Sequence, residues 1–152
     1  MYKFNLKNID IFTVIGKAKA ICITTNGIVK SNGQLVMGAG IAKSFATQFP
    51  QIPFILGDKV KKHGNYVFEC GIVNSTTILS FPTKDNYKFN SSIELIKRSA
   101  TRLVKWANIN NITETESIYI PSPGTGLGGL DKSLVYDELN KILDNRFVIC
   151  TK

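Results

Sequence analysis

The stretch QLVMGAGIAKSF, residues 34–45, sets two glycines and an alanine directly before an apolar helical pattern. A glycine lacks the Cβ atom that would keep a ligand away from the backbone. The first turn of a helix adds free N–H groups and a dipole that favour an anion. The stretch therefore predicts a helix from near Gly38 to about Phe49, ended by Pro50, with a ligand close to its start.

Short apolar runs alternate with helical patterns on both sides of this stretch. The predicted strands are AICIT at 20–24, YVFEC at 66–70, TTILSF at 76–81, SIYIP at 117–121 and FVIC at 147–150. A shorter helix is predicted to start at Pro53, and two more to cover residues 91–108 and 132–144. Such alternation predicts one domain over residues 1–152, with three α/β/α layers and a mixed, mainly parallel central sheet.

The two later helices carry capping signals and apolar faces. Ser91 followed by Glu94 is a capping box, and Asp131 is placed to cap the last helix. The residues predicted to face the core are Ile93, Ile96, Ala100, Leu103 and Ala107 in the long helix, and Leu134, Val135, Leu139, Ile142 and Leu143 in the last.

The composition is that of an ordinary globular protein with a strongly basic surface. Of the residues, 43% are hydrophobic and 20% charged, the net charge is +8, and the pI is about 9.5. This charge favours nucleotides, nucleic acid or phosphorylated ligands, although a generic basic surface explains it equally well. No apolar run approaches the roughly 18 residues of a membrane span, and the start lacks a signal-peptide pattern. We therefore expect a cytoplasmic monomer without membrane association.

Cysteine and histidine usage argues against metal-site and triad chemistry. Cys22, Cys70 and Cys150 lie far apart and are odd in number, which predicts reduced, buried thiols. The one histidine, His63, lies in VKKHGNY, a stretch typical of a solvated turn. We therefore expect neither zinc ligation nor a Ser-His-Asp triad, and we predict no metal and no cofactor.

A second glycine-rich loop, PSPGTGLGGLD at 121–131, follows the strand SIYI. Successive amides in such a loop form a nest for an anion, and layered α/β folds bind ligands at the carboxyl ends of strands. Neither loop fits a nucleotide motif, because GAGIAK lacks the third glycine of GxGxxG and no GxxxxGK[ST] is present. The two loops together predict a ligand site, with plain turns as the alternative.

The motifs IDIF (9–12), ITTNG (23–27), VMGAGIA (36–42), SFPTK (80–84) and PSPGTGLGGLD (121–131) occur in an order that resembles macro domains. This resemblance covers nearly the whole chain and implies ADP-ribose binding in a cleft over a mixed sheet. The FPTK and GLGGLD motifs look most like a subgroup of ADP-ribosyl glycohydrolases, which includes antitoxins that remove ADP-ribose from DNA. A related branch releases ADP-ribose from acidic side chains, and a neighbouring one dephosphorylates ADP-ribose 1″-phosphate.

The resemblance implies a role for each motif residue. Asp10 would accept the adenine amino group with Ile11 nearby, and Asn26 would hold the distal ribose, although an Asn-Gly pair is also a common turn. Lys84 would act at the anomeric carbon of the distal ribose. The residues implied to surround the diphosphate and distal ribose are Gly38, Ala39, Gly40 and Ile41 in the first loop, and Pro123, Gly124, Thr125, Gly126 and Leu127 in the second.

Lys84 and Asn26 are the predicted catalytic residues. A lysine in its neutral form could attack an opened ribose aldehyde, whereas a charged lysine could stabilise the leaving group. An exposed lysine among 19 basic residues is the alternative.

The sequence departs from the family pattern at three places. The protein-directed branch has an aspartate where Gly128 stands here, which favours the DNA-directed group. Cys150 occupies the place of a ring that stacks on adenine in relatives. An insertion at residues 28–34 lengthens the loop before the first helix, as a mobile lid or a tolerated surface loop.

Four functions follow as hypotheses. The chain is a glycohydrolase that removes ADP-ribose from a DNA base or an acidic protein side chain, or a phosphatase of ADP-ribose 1″-phosphate. Alternatively, it is a non-catalytic reader of ADP-ribose, or a nucleic-acid-binding domain that uses its charge alone.

Overall fold

The computed structural model describes residues 1–151 and is built around one six-stranded sheet. The strands are β1 (Asn5–Lys7), β2 (Ala20–Thr25), β3 (Glu69–Val73), β4 (Thr76–Pro82), β5 (Ile118–Pro121) and β6 (Phe147–Cys150). Their order is β1-β6-β5-β2-β4-β3, and every neighbouring pair is parallel except β3 with β4. The predicted mixed, mainly parallel sheet is confirmed.

Helices cover both faces of this sheet. They are a short 3₁₀ helix (Ile11–Val14), α1 (Gly40–Gln48), α2 (Ile52–His63), α3 (Ile93–Ile109) and α4 (Lys132–Asn140). One core lies between the sheet and α3 with α4, and a second between the sheet and α1, α2 and the 3₁₀ helix. Alternate residues of the inner strands enter opposite cores, as Ile21 and Cys22 do. The three predicted layers are thus confirmed.

Two strand predictions need correction. The strand predicted at 66–70 begins three residues later, because the side chain of Ser80 takes the place of a ladder partner there. Ser80 Oγ accepts from the N–H of Phe68 at 2.9 Å and donates to the carbonyl of Tyr66 at 3.1 Å. The edge strand β1 was not predicted at all, since its three residues are all exposed and carry no alternating pattern.

The helix boundaries also shift. α1 begins at Gly40 rather than near Gly38, because Ala39 is extended and serves as its N-cap. α2 begins one residue before Pro53 and has 12 residues against 9 in α1, so the expectation of a shorter helix was wrong. α4 ends at Asn140 instead of residue 144, and a turn follows it.

The predicted cap of α3 was wrong by one residue. Ser92 is the N-cap, and its Oγ accepts from the N–H of Leu95 at 3.2 Å. Ser91 is buried, so the capping box with Glu94 does not form. The apolar stripe of α3 lies in the core as predicted, whereas Leu134 of α4 is 49% exposed and Tyr136 is buried in that helix instead.

Three further predictions concern the cysteines, His63 and membrane-spanning helices. Cys22, Cys70 and Cys150 are free and buried, as expected. His63 is exposed, but it closes α2 instead of lying in a turn. Across residues 1–151, no helix combines the length and the apolar character needed to cross a membrane.

Candidate functional site

A cleft of about 370 Å³ opens at the carboxyl edge of the sheet, beside β5 and β6. Its walls come from the segment after β1, the 3₁₀ helix, one face of α1 and the ends of β5 and β6. The lining residues are Ile9, Asp10, Ile11, Phe12, Ile41, Ser44, Gln48, Pro121 and Cys150. The structure thus brings the predicted ligand residue Ile41 next to Asp10 and Ile11, which lie about 30 positions earlier in the sequence.

Asp10 marks the entrance of the cleft and is exposed. Its Oδ1 accepts from the N–H of Phe12 at 3.0 Å, so the carboxylate caps the 3₁₀ helix that follows. A carboxylate has about four acceptor positions, and it therefore retains the capacity to bind a donor from a ligand.

Phe12 is the one aromatic residue among those that line the cleft. Its ring stacks on that of Phe45 at 4.5 Å, with an angle of 28° between the planes. Cys150 lines the cleft and has no aromatic ring to stack on a ligand. Burial raises the pKa of its thiol to about 11. Among the lining residues, an aromatic contact for a ligand can therefore come only from Phe12.

The two glycine loops meet beside this cleft. A Cβ atom built on Gly40 would lie 3.9 Å from Cδ1 of Leu127. The backbone from Gly38 to Gly40 is exposed, and so are Gly126 and Leu127. Their exposed N–H groups form the kind of surface that an anion occupies at a helix start.

The glycines of the loops fall into two groups. Gly124 has a φ of +74°, and a Cβ there would lie 2.7 Å from Ile96, so the fold itself requires this glycine. Gly38 and Gly126 have no atom within 4 Å of such a Cβ and no left-handed φ. The space beside these two glycines is therefore open to the close approach of a ligand.

The second loop is tied to the start of α3. The N–H of Ser91 donates to the carbonyl of Gly128 at 2.8 Å, and Leu130 N–H donates to the Gly124 carbonyl at 2.9 Å. A side chain on Gly128 would overlap Ser91 Oγ and lie 2.6 Å from the Gly124 carbonyl oxygen. This loop conformation therefore leaves no room for an aspartate at position 128. Asp131 caps α4 instead, accepting from the N–H groups of Ser133 and Leu134 at 2.8 and 3.3 Å.

Asn26 and Lys84 lie side by side beyond the ends of β2 and β4. The N–H of Thr83 donates to the Thr25 carbonyl, and that of Gly27 donates to the Asp85 carbonyl, both at 3.0 Å. These two bonds flank Asn26 and Lys84 and continue the pairing of the parallel strands. The two predicted catalytic residues are thus neighbours.

The side chain of Asn26 has a structural task of its own. Its Oδ1 accepts from the N–H of Ile28 at 3.0 Å, and its Nδ2 donates to the carbonyl of Val36 at 2.8 Å. Asn26 therefore holds the two ends of the insertion together. The second N–H of its amide remains for a ligand.

The insertion itself is a small hairpin fastened to α2. Val29 and Leu35 form an antiparallel bridge, and Leu35 N–H donates to the Pro53 carbonyl at 2.8 Å. A side chain on Gly57 of α2 would overlap the Gly33 carbonyl, so hairpin and helix are in close backbone contact. These bonds favour a fixed loop over a mobile lid.

Lys84 is half-buried, and its surroundings contain an unusual polar group. Asn65 Nδ2 donates to the Lys84 carbonyl at 3.0 Å and to Asp85 Oδ1 at 2.9 Å. The Oδ1 atom of Asn65 is buried without a hydrogen-bond partner. Within residues 1–151, no carboxylate lies within 4.0 Å of Lys84 Nζ.

Comparison with known proteins gives a consistent picture of the fold. No family model matches the sequence, and neither does any curated protein. Among solved structures, the macrodomain of Mycobacterium tuberculosis DarG superposes with a TM-score of 0.77 at 23% identity, covering 100% of this chain and 99% of that one. The macrodomain of Thermus aquaticus DarG gives a TM-score of 0.75 at 23% identity, covering 98% and 97%. The protein has the macrodomain fold.

A third similar structure contains a ligand. Thermosipho africanus DarTG in complex with ADP-ribose matches with a TM-score of 0.78 at 24% identity, over 99% of this chain. This chain spans only 42% of that one. At such identities, the likeness establishes the macrodomain fold and leaves the residues of the site to be argued from their geometry.

Five cleft residues escaped the sequence predictions. They are Ile9, Phe12, Ser44, Gln48 and Pro121. Ser44 and Gln48 lie four apart on the exposed side of α1, a spacing that places them on one helical face toward the cleft. That spacing was readable from the sequence, whereas the turn of the 3₁₀ helix that brings Phe12 into the wall was not.

A basic surface lies on the Lys84 side of this macrodomain fold. Arg98 and Arg102 of α3 are both exposed and lie over the ring of Tyr66, with Cζ atoms 4.6 and 4.1 Å from its centroid. Arg98 also donates to the carbonyl of Asn65 at 2.8 Å, which links the pair to the segment that contacts Lys84. Neither arginine has a carboxylate partner in the described part of the chain.

Proposed function

We propose that this protein binds ADP-ribose and hydrolyses the bond that joins ADP-ribose to a modified macromolecule. One observation supports this above the others. In a macrodomain fold, two contacting glycine loops lie between a cleft that contains Asp10 and the adjacent pair Asn26 and Lys84. The order of these groups matches the order of adenine, diphosphate and distal ribose along ADP-ribose.

The proposed placement follows from the chemistry of each group. The adenine occupies the cleft, where Asp10 accepts its amino group beside Ile11, and Phe12 offers an apolar face. The diphosphate lies between the loops, bound by N–H groups of residues 38–41 and 123–127. The known complex of Thermosipho africanus DarTG with ADP-ribose, which has the same fold, supports this choice of ligand.

Lys84 acts on the distal ribose in this proposal. Its position beyond β4 is fixed by the strand and by the Asn65 bond to its carbonyl, while the adenine and diphosphate lie on other loops. As a neutral amine, Lys84 attacks the anomeric carbon while the bond to the macromolecule breaks, and water then releases ADP-ribose from the lysine. As a cation, it instead stabilises the leaving macromolecule while water attacks the anomeric carbon. Asn26 holds the ribose with its remaining N–H.

The acceptor that carries the ADP-ribose is proposed to be a nucleic-acid base rather than an acidic protein side chain. The loop conformation excludes an aspartate at position 128, the residue typical of the protein-directed branch. The exposed guanidinium groups of Arg98 and Arg102 lie on the Lys84 side and suit phosphates of a polynucleotide.

Substitution of Lys84 tests the proposal. We expect Lys84→Ala to bind ADP-ribose with nearly the parent affinity and to lose turnover by about 10²–10⁴-fold, because only a transition-state contact is removed. Titration calorimetry with ADP-ribose measures the affinity. Turnover is measured by product analysis after parallel incubations with ADP-ribosylated DNA, ADP-ribosylated protein and ADP-ribose 1″-phosphate.

Lys84→Arg separates the two roles of the lysine. Arginine keeps the charge but provides no neutral amine at ordinary pH, so recovery of activity with arginine would show an electrostatic role. Full activity of Lys84→Ala on every substrate would remove the catalytic assignment. Binding without turnover of any substrate would make the protein a reader, and turnover of the 1″-phosphate alone would make it a phosphatase.

A further inference from the structure

Three hydroxyl groups form a hydrogen-bonded chain behind the second glycine loop. Ser122 Oγ lies 2.7 Å from Tyr136 Oη and 2.8 Å from Thr125 Oγ1. Tyr136 belongs to α4, Ser122 directly follows β5, and Thr125 lies within the loop. The N–H of Ser122 donates to the Cys150 carbonyl at 3.0 Å, so the sheet fixes the middle member of the chain.

Tyr136 sets the direction of these hydrogen bonds. Its side chain is only 4% exposed, and its ring meets those of Tyr2 and Phe4 edge-on at 5.9 Å. Among the described residues, Ser122 Oγ is the one hydrogen-bond partner of the Tyr136 hydroxyl. A buried hydroxyl hydrogen without an acceptor is costly. Tyr136 therefore donates to Ser122, which leaves the single hydrogen of Ser122 for Thr125.

Thr125 ends the chain with a hydroxyl hydrogen that has no good acceptor within the described residues. The acceptor at hand is the Ser122 carbonyl at 3.5 Å, which is at the outer limit of a hydrogen bond. A hydroxyl that already accepts a hydrogen bond is polarised and becomes a better donor. The loop thus holds a donor prepared for an acceptor from outside the protein.

We propose that Tyr136 and Ser122 are positioning residues that direct the Thr125 hydroxyl hydrogen to the second phosphate of ADP-ribose. The inference rests on the proposed function, which places that phosphate against residues 123–127. A phosphate oxygen then receives a charge-assisted hydrogen bond, stronger than the one to the Ser122 carbonyl. If the hydrogen bonds ran the other way, from Thr125 through Ser122 to Tyr136, the hydroxyl hydrogen of Tyr136 would be unpaired in the core.

Calorimetry with AMP, ADP and ADP-ribose tests the inference, because only the last two carry the second phosphate. We expect Thr125→Val to bind ADP and ADP-ribose about tenfold more weakly and AMP unchanged. Thr125→Ser keeps the hydroxyl and should bind ADP and ADP-ribose with the parent affinities. Tyr136→Phe removes the hydroxyl that fixes the direction of these hydrogen bonds. We expect this variant to bind ADP and ADP-ribose about threefold more weakly.

The double variant distinguishes a positioning role of Tyr136 from a general effect of Tyr136 on the structure of the site. If Tyr136 acts through Thr125, adding Tyr136→Phe to Thr125→Val weakens ADP binding no further. A further threefold loss in that background, an equal loss for AMP, or parent affinity of Thr125→Val would each overturn the inference while leaving ADP-ribose binding intact. A parent protein that binds none of the three nucleotides would overturn the proposed function together with the inference.

Discussion

Cys150 is a thiol that the fold keeps protonated at the wall of the ligand cleft. Burial, with a smaller contribution from the Asp10 carboxylate, raises the pKa of this thiol to about 11. Only about one molecule in a thousand then carries the thiolate at pH 8. A cysteine at this place supplies packing and polarisable contact surface instead of a nucleophile.

This raised pKa predicts an unusual pH dependence of alkylation. We expect the rate of Cys150 modification by iodoacetamide to rise about tenfold per pH unit from 7 to 9.5, because the thiolate fraction keeps growing below pH 11. Mass spectrometry of the modified peptide measures the rate. Glutathione in the same reaction is the control, and its rate should level off near its own, lower pKa. A plateau for Cys150 near pH 8.5 would show an ordinary thiol.

Ser91 shows where residue-level prediction from the sequence ends. Ser91 and Ser92 are equivalent in the sequence pattern, and Glu94 favours Ser91 as the cap. The loop at Gly128 decides otherwise, because its carbonyl accepts the N–H of Ser91 and draws that residue into the core. A contact over 37 positions of the chain is not encoded in the local pattern. In contrast, the Asp131 cap depends on neighbours alone and was predictable.

At the level of elements, the hairpin over residues 28–36 and helix α2 share a contact that only glycine permits. Alanine in place of glycine in a helix interior normally stabilises it by about 1 kcal/mol. At Gly57 the added Cβ would overlap the Gly33 carbonyl and lie 2.9 Å from Leu35 N. The overlap with backbone atoms outweighs the helix preference.

We therefore expect Gly57→Ala to destabilise the protein by about 2 kcal/mol and to lower its Tm by about 4–8 °C. Thermal unfolding followed by circular dichroism measures the change. Gly71→Ala is the matched control, since a Cβ atom at Gly71 would have no other atom within 4 Å and the φ of this residue is not left-handed. A Gly57 variant as stable as the parent would mean that the hairpin moves away from α2 at little cost.

The elements that the sequence predicts best are those with strong periodic patterns. The stripe of α3 and the inner strands β2, β4, β5 and β6 follow from apolar spacing, and so does the layered arrangement. β1 and the start of β3 do not, because the residues of β1 are all exposed and the side chain of Ser80 takes the place of a ladder partner before Glu69. For the candidate site, motif order indicated the two loops, whereas the direction of the hydroxyl chain and the place of Phe12 needed the tertiary structure.

At the scale of the whole molecule, the net charge is +8, and two of the cations, Arg98 and Arg102, lie together near the segment that contacts Lys84. Arg98 and Arg102 lack carboxylate partners among the described residues, and the ring of Tyr66 supports both guanidinium groups. Charges held in this way bind phosphates of a flexible strand without fixing its sequence. In the proposed function, this surface contributes affinity for the macromolecule, and the cleft contributes affinity for ADP-ribose.

We expect the double change Arg98→Gln and Arg102→Gln to weaken binding of a single-stranded oligonucleotide and to reduce the slope of log K against log salt by about 1.4. Affinity for free ADP-ribose should not change. Fluorescence anisotropy at several salt concentrations measures the slope. Lys17→Gln with Lys19→Gln removes the same charge near the amino end of β2, away from the site, and should leave the slope nearly unchanged. Equal slopes for both double variants would exclude a localised strand-binding surface.

The pairing of β1 with β6 also determines when the site is completed during protein synthesis. β1 ends at Lys7 and leaves the ribosome well before its partner β6, which begins only at Phe147. At about 5–20 residues per second, β1 waits roughly 7–30 s for a neighbour. Asp10 follows β1 and Cys150 ends β6, so the two walls of the cleft come together at the end of this wait. In the proposed function, the adenine cleft is therefore incomplete until β6 has been translated.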